Sequence, residues 1–238
     1  MSWAKVHKLI WPALLLSALI MTAACQGAPK KQAPPTWRPQ RLAVLPFNTV
    51  PPDAEGSSTA CSPLTGSVYA CGVDQHLNNE AEAVLEDQLL TILSQRATFE
   101  VVPPSQAGPV FQRLRREHIG EKLAKDIADT GRKLGVEGVL VGHVYRFRQR
   151  VGSAASVESP ASVAFDLALV RVSDAQVVWK NSFDETQKSL SENLFNLGQY
   201  MKTGLRWLTA QELARVGMDQ LMERFPWLKP EKTQANQG

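Results

Sequence analysis

Three consecutive stretches with the residue pattern of β-strands, at residues 138–151, 161–172 and 177–184, constrain the fold more than any other part of the chain. In the middle stretch large apolar residues alternate with small or polar ones: Val163, Phe165, Leu167 and Leu169 are interleaved with Ser162, Ala164, Asp166 and Ala168. A period of two residues places the two sets on opposite faces of a strand. The alternation therefore predicts a three-strand antiparallel meander with only one face covered.

The first of these strands begins apolar on both faces and then becomes basic. Tyr145 and Phe147 alternate with Arg146, Arg148 and Arg150. The same period of two predicts that the three arginines share one solvent-exposed face as the strand leaves the core. This face, with Tyr145 nearby, is a candidate surface for an anionic glycan, a small ligand or a protein partner.

Residues 1–24 have the pattern of a secretory signal peptide. Lys5 and Lys8 precede an apolar run at residues 9–21. This run is shorter than the about 20 residues that a membrane-spanning helix needs. We therefore exclude residues 1–24 from the folded domain.

The signal peptide ends in Met-Thr-Ala-Ala followed by Cys25. The small residues before Cys25 resemble the lipobox of bacterial lipoproteins, although Thr22 stands where leucine is usual. The resemblance implies cleavage before Cys25 and lipidation of its sulfur with acyl chains such as palmitate. Gln26, rather than Asp, follows the cysteine, which implies an anchor in the outer membrane on its periplasmic face. An ordinary secretory signal is the alternative.

The mature chain is predicted to consist of a tether, one domain and a tail. Residues 25–40 are rich in proline and nearly free of apolar residues, as is typical of an extended tether. Residues 41–228 are predicted to form a single domain, and residues 229–238 a disordered polar tail. Removal of the two signal-peptide lysines lowers the formal net charge of +3 by two, and a nearly neutral chain is a poor candidate for nucleic-acid binding.

Two further cysteines, Cys61 and Cys71, lie in a polar loop. In an oxidising compartment this pair predicts a disulfide. A zinc site that uses both cysteines and His76 is the first alternative, but it has no obvious fourth ligand and no C-x-x-C spacing. Free thiols are the second alternative.

Strand and helix patterns follow one another without strict alternation, which predicts an α+β fold. The expected architecture is a single mixed or antiparallel sheet flanked by helices. The predicted segments are strands at 41–47 and 99–102, helices at 75–96, 109–117 and 121–134, the three-strand meander, and C-terminal helices at 189–201 and 209–225. Thr209 and Glu212 form a predicted capping box. Tyr200, Trp207 and Trp227 surround the C-terminal helices, where they either cover the edge of the core or serve as interaction anchors.

Four short motifs at strands and turns are similar to those of a known family. Residues 42–47 read Leu-Ala-Val-Leu-Pro-Phe, and residues 99–103 read Phe-Glu-Val-Val-Pro. Residues 134–145 form a glycine-containing crossing from helix to strand, and residues 177–179 read Val-Val-Trp at a hairpin. Together these motifs resemble the domain shared by the TolB N-terminal region and the CsgG and LpoB lipoproteins.

The resemblance implies a lipoprotein that works in envelope assembly or secretion, in contact with an envelope protein or with further copies of itself. Secretion pores of the CsgG type need long inserted hairpins. The connections at 148–161 and 184–189 are too short for these, since a membrane-spanning strand alone takes about 9–11 residues. The tether is also shorter than the long reach of LpoB-like activators, so an accessory or scaffold close to the membrane is implied.

The chain lacks the sequence patterns of common catalytic, metal and cofactor sites. His76, His118 and His143 fall in three different predicted elements. Its paired acids are adjacent in sequence and point apart, whereas acid–base catalysis needs groups that converge on one substrate. We therefore predict a non-enzymatic protein without metal or cofactor that acts through protein–protein contacts. The first alternative is a lipoprotein that binds peptidoglycan, another glycan or a small ligand, and the second is a hydrolase with an unfamiliar site.

Overall fold

A six-stranded mixed sheet runs through the computed structural model, which describes residues 37–50, 59–70, 79–117, 122–153, 156–187 and 206–230. These residues belong to one compact unit that begins at Trp37. The strands are β1 (Arg41–Val44), β2 (Asn48–Thr49), β3 (Thr59–Cys61), β4 (Val68–Ala70), β5 (Glu100–Val102), β6 (Gly138–Arg148), β7 (Val151–Gly152), β8 (Val157–Ser159), β9 (Ser162–Arg171) and β10 (Gln176–Thr186). The helices are α1 (Asn79–Arg96), α2 (Pro104–Glu117), α3 (Leu123–Leu134) and α4 (Ala210–Glu223).

The sheet order is β10–β9–β6–β1–β5, and the short β2 pairs with β6. β6, β9 and β10 are antiparallel neighbours, which confirms the predicted meander. β1 lies between β6 and β5 and is parallel to both. Leu42, Ala43 and Val44 of β1 are all buried, as is typical of a parallel strand that is covered on both faces. The predicted α+β fold with a mixed sheet is thus confirmed.

The helices cover the two faces of the sheet as separate layers. The large apolar row of β9, which includes Phe165, packs against Leu85 and Leu89 of α1 and against Leu213 and Met218 of α4. On the other face, α2 and α3 pack against a smaller row of valines, which contains Val139, Val141 and Val170. The alternation along β9 therefore specifies which helices each face receives.

Two helix starts show how local sequence sets an element boundary. α4 begins after Thr209, whose hydroxyl accepts a hydrogen bond from Glu212 N (3.2 Å) while Thr209 N donates to the Glu212 carboxylate (2.9 Å). This capping box confirms the prediction. α2 begins at Pro104 rather than at the predicted Pro109. Proline fits the first helical position because its missing N–H has no partner there in any helix.

The second face of the sheet is covered as well, so the prediction of a half-open sheet was wrong. Every residue of β9 except Arg171 is buried, including Asp166 at 1% exposure. The additional cover is the β3–β4 hairpin, a pair of three-residue antiparallel strands that the sequence analysis did not predict. Small residues on β9, such as Ala164, leave room for Tyr69 of this hairpin.

Trp37, the first described residue, packs against the domain although it precedes the predicted domain boundary at residue 41. The Trp37 ring lies edge-on against Trp227, with ring centroids 5.4 Å apart. Trp227 Nε1 donates a hydrogen bond to the Trp37 carbonyl oxygen (2.8 Å). These contacts join the end of the tether to the C-terminal segment of the domain.

Several sequence predictions concern positions outside the described residues. These are the signal peptide, the lipidated Cys25, most of the tether, Cys71, His76, His118, the helix at 189–201 with Tyr200, and the tail from residue 231. Cys61 is exposed at the end of β3, and its disulfide with Cys71 stays a prediction. None of the helices that the structure describes is long and apolar enough to cross a membrane.

Candidate functional site

β6 has one extra residue, Tyr145, opposite β9. Val144 pairs with Phe165 and Arg146 pairs with Ala164, so that Tyr145 has no residue directly opposite. A β-bulge of this kind shifts the alternation of the strand by one residue. Tyr145 and Arg146 therefore lie on the same face of the sheet as Ala164.

The bulge overturns the predicted exposed basic face. Tyr145 is fully buried and Arg146 is only 8% exposed. Phe147, which the alternation placed beside Tyr145, pairs with Val163 and packs against the layer of α1 and α4. The prediction assumed that side chains alternate between the two faces along the whole strand. The bulge at Tyr145 interrupts this alternation, but nothing in the residue types around it marks the interruption in the sequence.

Asp166 is the centre of a buried polar cluster between the sheet and the β3–β4 hairpin. Its Oδ2 accepts hydrogen bonds from the Ser62 hydroxyl (2.7 Å) and the Tyr145 hydroxyl (2.9 Å), with the Tyr69 hydroxyl at 3.5 Å. Its Oδ1 lies 3.0 Å from Nδ1 of His143, which is 3% exposed. A buried carboxylate is tolerated when donors surround it in this way. The cluster therefore fastens the hairpin to β6 and β9.

The two tyrosines of the cluster stack on each other, with ring centroids 4.0 Å apart. Burial raises the pKa of Tyr145, and the negative charge of Asp166 raises it further. Burial also raises the pKa of Tyr69, with a smaller contribution from Asp166. Both phenols consequently keep their protons at neutral pH and can serve as hydrogen-bond donors.

Arg146 forms a second buried network next to this cluster. Its Nε donates to the Ser162 hydroxyl (2.6 Å), while its terminal nitrogens donate to the Ala70 carbonyl oxygen and the Asp184 carboxylate. The Ser162 hydroxyl also contacts the Thr186 hydroxyl (2.5 Å). One guanidinium thus joins β4, β6, β9 and β10. It holds these strands together and is not available to a ligand at the surface.

Four further predicted site residues lie in the described part of the chain, namely Arg148, Arg150, Trp207 and Trp227. Arg148 and Arg150 are half-buried, and Arg150 donates to the Gly152 carbonyl oxygen (2.6 Å). Trp207 is half-buried, and Trp227 lies in the apolar core at 7% exposure. Trp227 is therefore part of the core, whereas a role of these tryptophans as interaction anchors stays a prediction.

A pocket of about 170 Å³ lies beside the Asp166 cluster, between the turn of the β3–β4 hairpin and β10. Its lining residues all carry a polar side-chain group and are Thr65, Ser67, Tyr69, Asp166, Lys180, Asn181 and Ser182. Lys180 and Ser182 are exposed at the rim, whereas Asp166 and Tyr69 are buried. This pocket could not be predicted from the sequence, because Thr65, Ser67 and Lys180 belong to segments that meet only in the folded chain.

β10 is the edge strand of the sheet, and no described strand pairs with its outer side. Ser182 N donates to the side chain of its neighbour Asn181 (3.0 Å), which indicates that the Ser182 backbone points away from β9. By the alternation of an antiparallel ladder, the backbones of Lys180, Asp184 and Thr186 also point outwards. The described structure therefore leaves a row of backbone donors and acceptors at this edge.

Among the described residues, no group of three or more His, Cys, Asp or Glu side chains is placed to hold a metal ion. His143 is a buried residue of β6, and its ring nitrogen contacts Asp166. Asp166 itself was missed as a central residue. The sequence does place this acidic residue in the middle of a largely apolar strand. Such a position indicates either that this face of the strand is exposed to solvent or that buried hydrogen-bond donors surround the carboxylate.

Neither a family model nor a curated protein matches the chain. Among solved structures, the chain is similar to the PelC dodecamer from Paraburkholderia phytofirmans, with 13% identity, a TM-score of 0.42, and coverage of 82% of this chain and 92% of that one. It is also similar to the LpoB C-terminal domain from Salmonella enterica, with 15% identity, a TM-score of 0.33, and coverage of 64% and 87%. A third similar structure is lipoprotein GNA1162 from Neisseria meningitidis, with 15% identity, a TM-score of 0.32, and coverage of 69% of this chain and 93% of that one.

The similarity to LpoB that the motifs implied is thus found again among solved structures, whereas the similarity to TolB and CsgG stays a prediction. All three TM-scores lie below 0.5. The support for a function therefore comes from residues of this chain.

Proposed function

We propose that the protein is a non-enzymatic lipoprotein, anchored through Cys25 in the outer membrane, that assists envelope assembly or secretion by binding another protein. The contact is made at the outer edge of β10. The observation that carries the proposal is the described edge strand of eleven residues with outward-pointing backbone groups. The signal peptide and lipobox of the sequence supply the location.

An unpaired strand edge is a template for an added strand. The occupant that fits it is an extended segment of an envelope protein, because such a segment satisfies the outward N–H and C=O groups in turn. Lys180 and Asp184 are exposed along this edge, and together they favour a segment that carries charges of both signs over a purely apolar one.

Contacts on both faces of β10 hold this edge strand in place, so that it is already ordered before a partner binds. Phe183 of β10 packs under α4 at Gly217, and Trp179 Nε1 donates to the Arg224 carbonyl oxygen (3.2 Å). Arg146 binds Asp184 from the opposite face. A strand that is already ordered adds little conformational cost when a partner strand pairs with it.

The buried cluster supports a structural role rather than catalysis. Acid–base catalysis requires groups within hydrogen-bond reach of a substrate. His143 is 3% exposed, and Asp166 already accepts hydrogen bonds from Ser62 and Tyr145. The imidazole of His143 therefore contacts the carboxylate of Asp166, and this carboxylate binds Ser62 of the hairpin region.

In-cell photo-crosslinking tests the proposal. A photoreactive residue in place of Lys180 should capture one discrete envelope protein, and the same residue in place of the exposed Lys133 on α3 should not. Ser182→Pro places a ring without an N–H at the outer edge and removes no β9 hydrogen bond, so it should block the approach of a partner strand and abolish capture. Ser182→Ala keeps the N–H and should retain it. Capture that persists in Ser182→Pro, or capture of other copies of this chain alone, would contradict the proposal.

A further inference from the structure

We infer that the pocket between the β3–β4 turn and β10 binds a single uncharged sugar ring. This site is separate from the backbone edge of β10, although Lys180 and Ser182 contribute to both. It also differs from the basic strand face that the sequence analysis considered for glycans, since Arg146 is buried there.

The size of the pocket selects one ring. Its volume is about 170 Å³. A cavity of roughly 150 Å³ holds one benzene molecule. Sites for larger ligands occupy about 300–1,000 Å³. A six-membered ring with its substituents pointing to solvent therefore fits, and this ring can be the end of a longer glycan.

The lining selects a polyhydroxylated ligand. Thr65, Ser67 and Ser182 line the pocket and carry hydroxyl groups, whereas the Asn181 carboxamide contacts the Leu221 carbonyl oxygen and Ser182 N. A hydroxyl group both donates and accepts hydrogen bonds, as do the hydroxyls of a sugar. An apolar ring could not use the remaining hydrogen-bonding capacity of these hydroxyl groups. Lys180 adds a charged donor at the rim, where a ring oxygen or hydroxyl can accept its hydrogen bond.

The charges on two sides of the pocket disfavour ions. The carboxylate of Asp166 at the floor repels an anion, and the ammonium of Lys180 at the rim repels a cation. A free amino acid would need the Asp166 oxygens for its ammonium group, but Oδ2 already accepts hydrogen bonds from Ser62 and Tyr145, and Oδ1 contacts His143. A neutral polyol carries no charge and is therefore repelled neither by Asp166 nor by Lys180.

The floor of the pocket is preorganised. The hydrogen bonds of Asp166 fix Tyr69, and Tyr145 supports its ring by stacking at 4.0 Å. The Thr65 hydroxyl donates to the Ser67 hydroxyl (3.0 Å), which orders the turn on the other side. Little reorganisation is therefore needed when a ligand binds, which increases affinity.

Ligand-observed saturation-transfer NMR on the full-length lipoprotein, in a detergent without a sugar headgroup, tests the inference. The probes are D-glucose and N-acetylglucosamine, with L-glutamate and spermidine as charged comparisons. We expect weak binding of at least one sugar and none of the charged probes. Lys180→Met should weaken sugar binding by about tenfold, as for the loss of one charge-assisted hydrogen bond. Lys133→Met, at an exposed position on α3, should leave it unchanged.

A second variant, Thr65→Trp, fills the pocket from the hairpin turn and should abolish the sugar signal while crosslinking from the β10 edge persists. Failure of the sugar site and failure of the protein contact are therefore distinguishable. Three results would overturn the inference: no saturation transfer to either sugar, sugar binding that survives both Lys180→Met and Thr65→Trp, or binding of L-glutamate or spermidine in preference to the sugars.

Discussion

At the residue scale, Asp166 shows how one buried acid can organise a sheet surface. It is the only acidic residue of β9, and it lies at 1% exposure among apolar neighbours. Burial of a carboxylate is costly unless donors surround it. Ser62, Tyr145 and His143 supply that surrounding from the hairpin and from β6. The hairpin position therefore depends on this side chain.

Asp166→Asn tests this dependence. The amide retains the shape of the carboxylate but has one acceptor atom instead of two, so an NH₂ group must face either the Ser62 and Tyr145 hydroxyls or the ring of His143. We expect the free energy of unfolding to fall by about 1–3 kcal/mol in urea titrations, the cost of leaving buried donors unsatisfied. Asp174→Asn, at the exposed β9–β10 turn, is the control and should change stability little. An equal effect of both substitutions would refute the central role of Asp166.

Tyr145 should make stability depend on alkaline pH. Its pKa is raised in the folded chain by burial and by Asp166, whereas an exposed tyrosine in the unfolded chain titrates near about 10. Above that pH the unfolded chain binds fewer protons than the folded chain, so stability falls as pH rises.

Tyr145→Phe keeps the ring stacking and removes this titration. The drop in unfolding free energy between about pH 9 and about pH 11, on either side of the tyrosine pKa, should be smaller in the variant than in the wild type. Urea titrations at both pH values measure it. Parallel drops in the two proteins would show that the Tyr145 phenol does not contribute.

At the element scale, α4 packs onto β10 through a glycine. A Cβ atom added at Gly217 would lie 2.5 Å from Cδ1 of Phe183. Phe183 is 4% exposed and contacts Phe165 at 5.6 Å between ring centroids. The close approach of helix and strand therefore requires the absence of a side chain at Gly217.

Gly217→Ala should destabilise the protein, although alanine is the better residue in an isolated helix by about 1 kcal/mol. The methyl group has to displace Phe183, and overpacking of this kind typically costs about 1–3 kcal/mol. The melting temperature should fall by comparison with Arg215→Ala, an exposed position on the same helix. A higher melting temperature for Gly217→Ala would mean that α4 does not sit this close to β10.

The sequence predicted the elements whose patterns are long and regular. The meander follows from the alternation along β9, and α4 from its capping box at Thr209. The β3–β4 hairpin was missed because strands of three residues are too short to show a period. The bulge at Tyr145 was missed because it changes the direction of side chains without changing the composition of β6. The Asp166 cluster depends on both features, and so it could not be assembled from the sequence.

At the scale of the whole molecule, a lipid anchor at Cys25 would limit the distance between the domain and the membrane. The described residues begin at Trp37, twelve positions after Cys25. An extended chain spans at most about 3.3–3.6 Å per residue. A partner of the β10 edge would consequently have to lie near the membrane surface.

Cys25→Ser tests the anchor. The variant cannot be acylated at sulfur, and it should move from the membrane fraction to the soluble periplasmic fraction after cell lysis and ultracentrifugation. Cys61→Ser, which changes an exposed residue of β3, is the matched control and should stay with the membrane. Membrane association that survives Cys25→Ser would mean that another part of the chain holds the protein there.

The position of β1 at the centre of the sheet has a consequence for folding. Leu42 pairs with Val101 on one side and with Gly138 on the other, so both partners lie far along the chain, whereas β6, β9 and β10 pair with near neighbours. Local contacts form faster than distant ones, because closing a long loop costs more entropy. We expect pulse-labelling hydrogen exchange to protect the meander before β1, and simultaneous protection would argue against this order. Synthesis starts at the N-terminus, so β1 cannot complete its pairing until β6 has been made, and we expect its apolar residues Leu42, Ala43 and Val44 to make the nascent chain prone to aggregation until then.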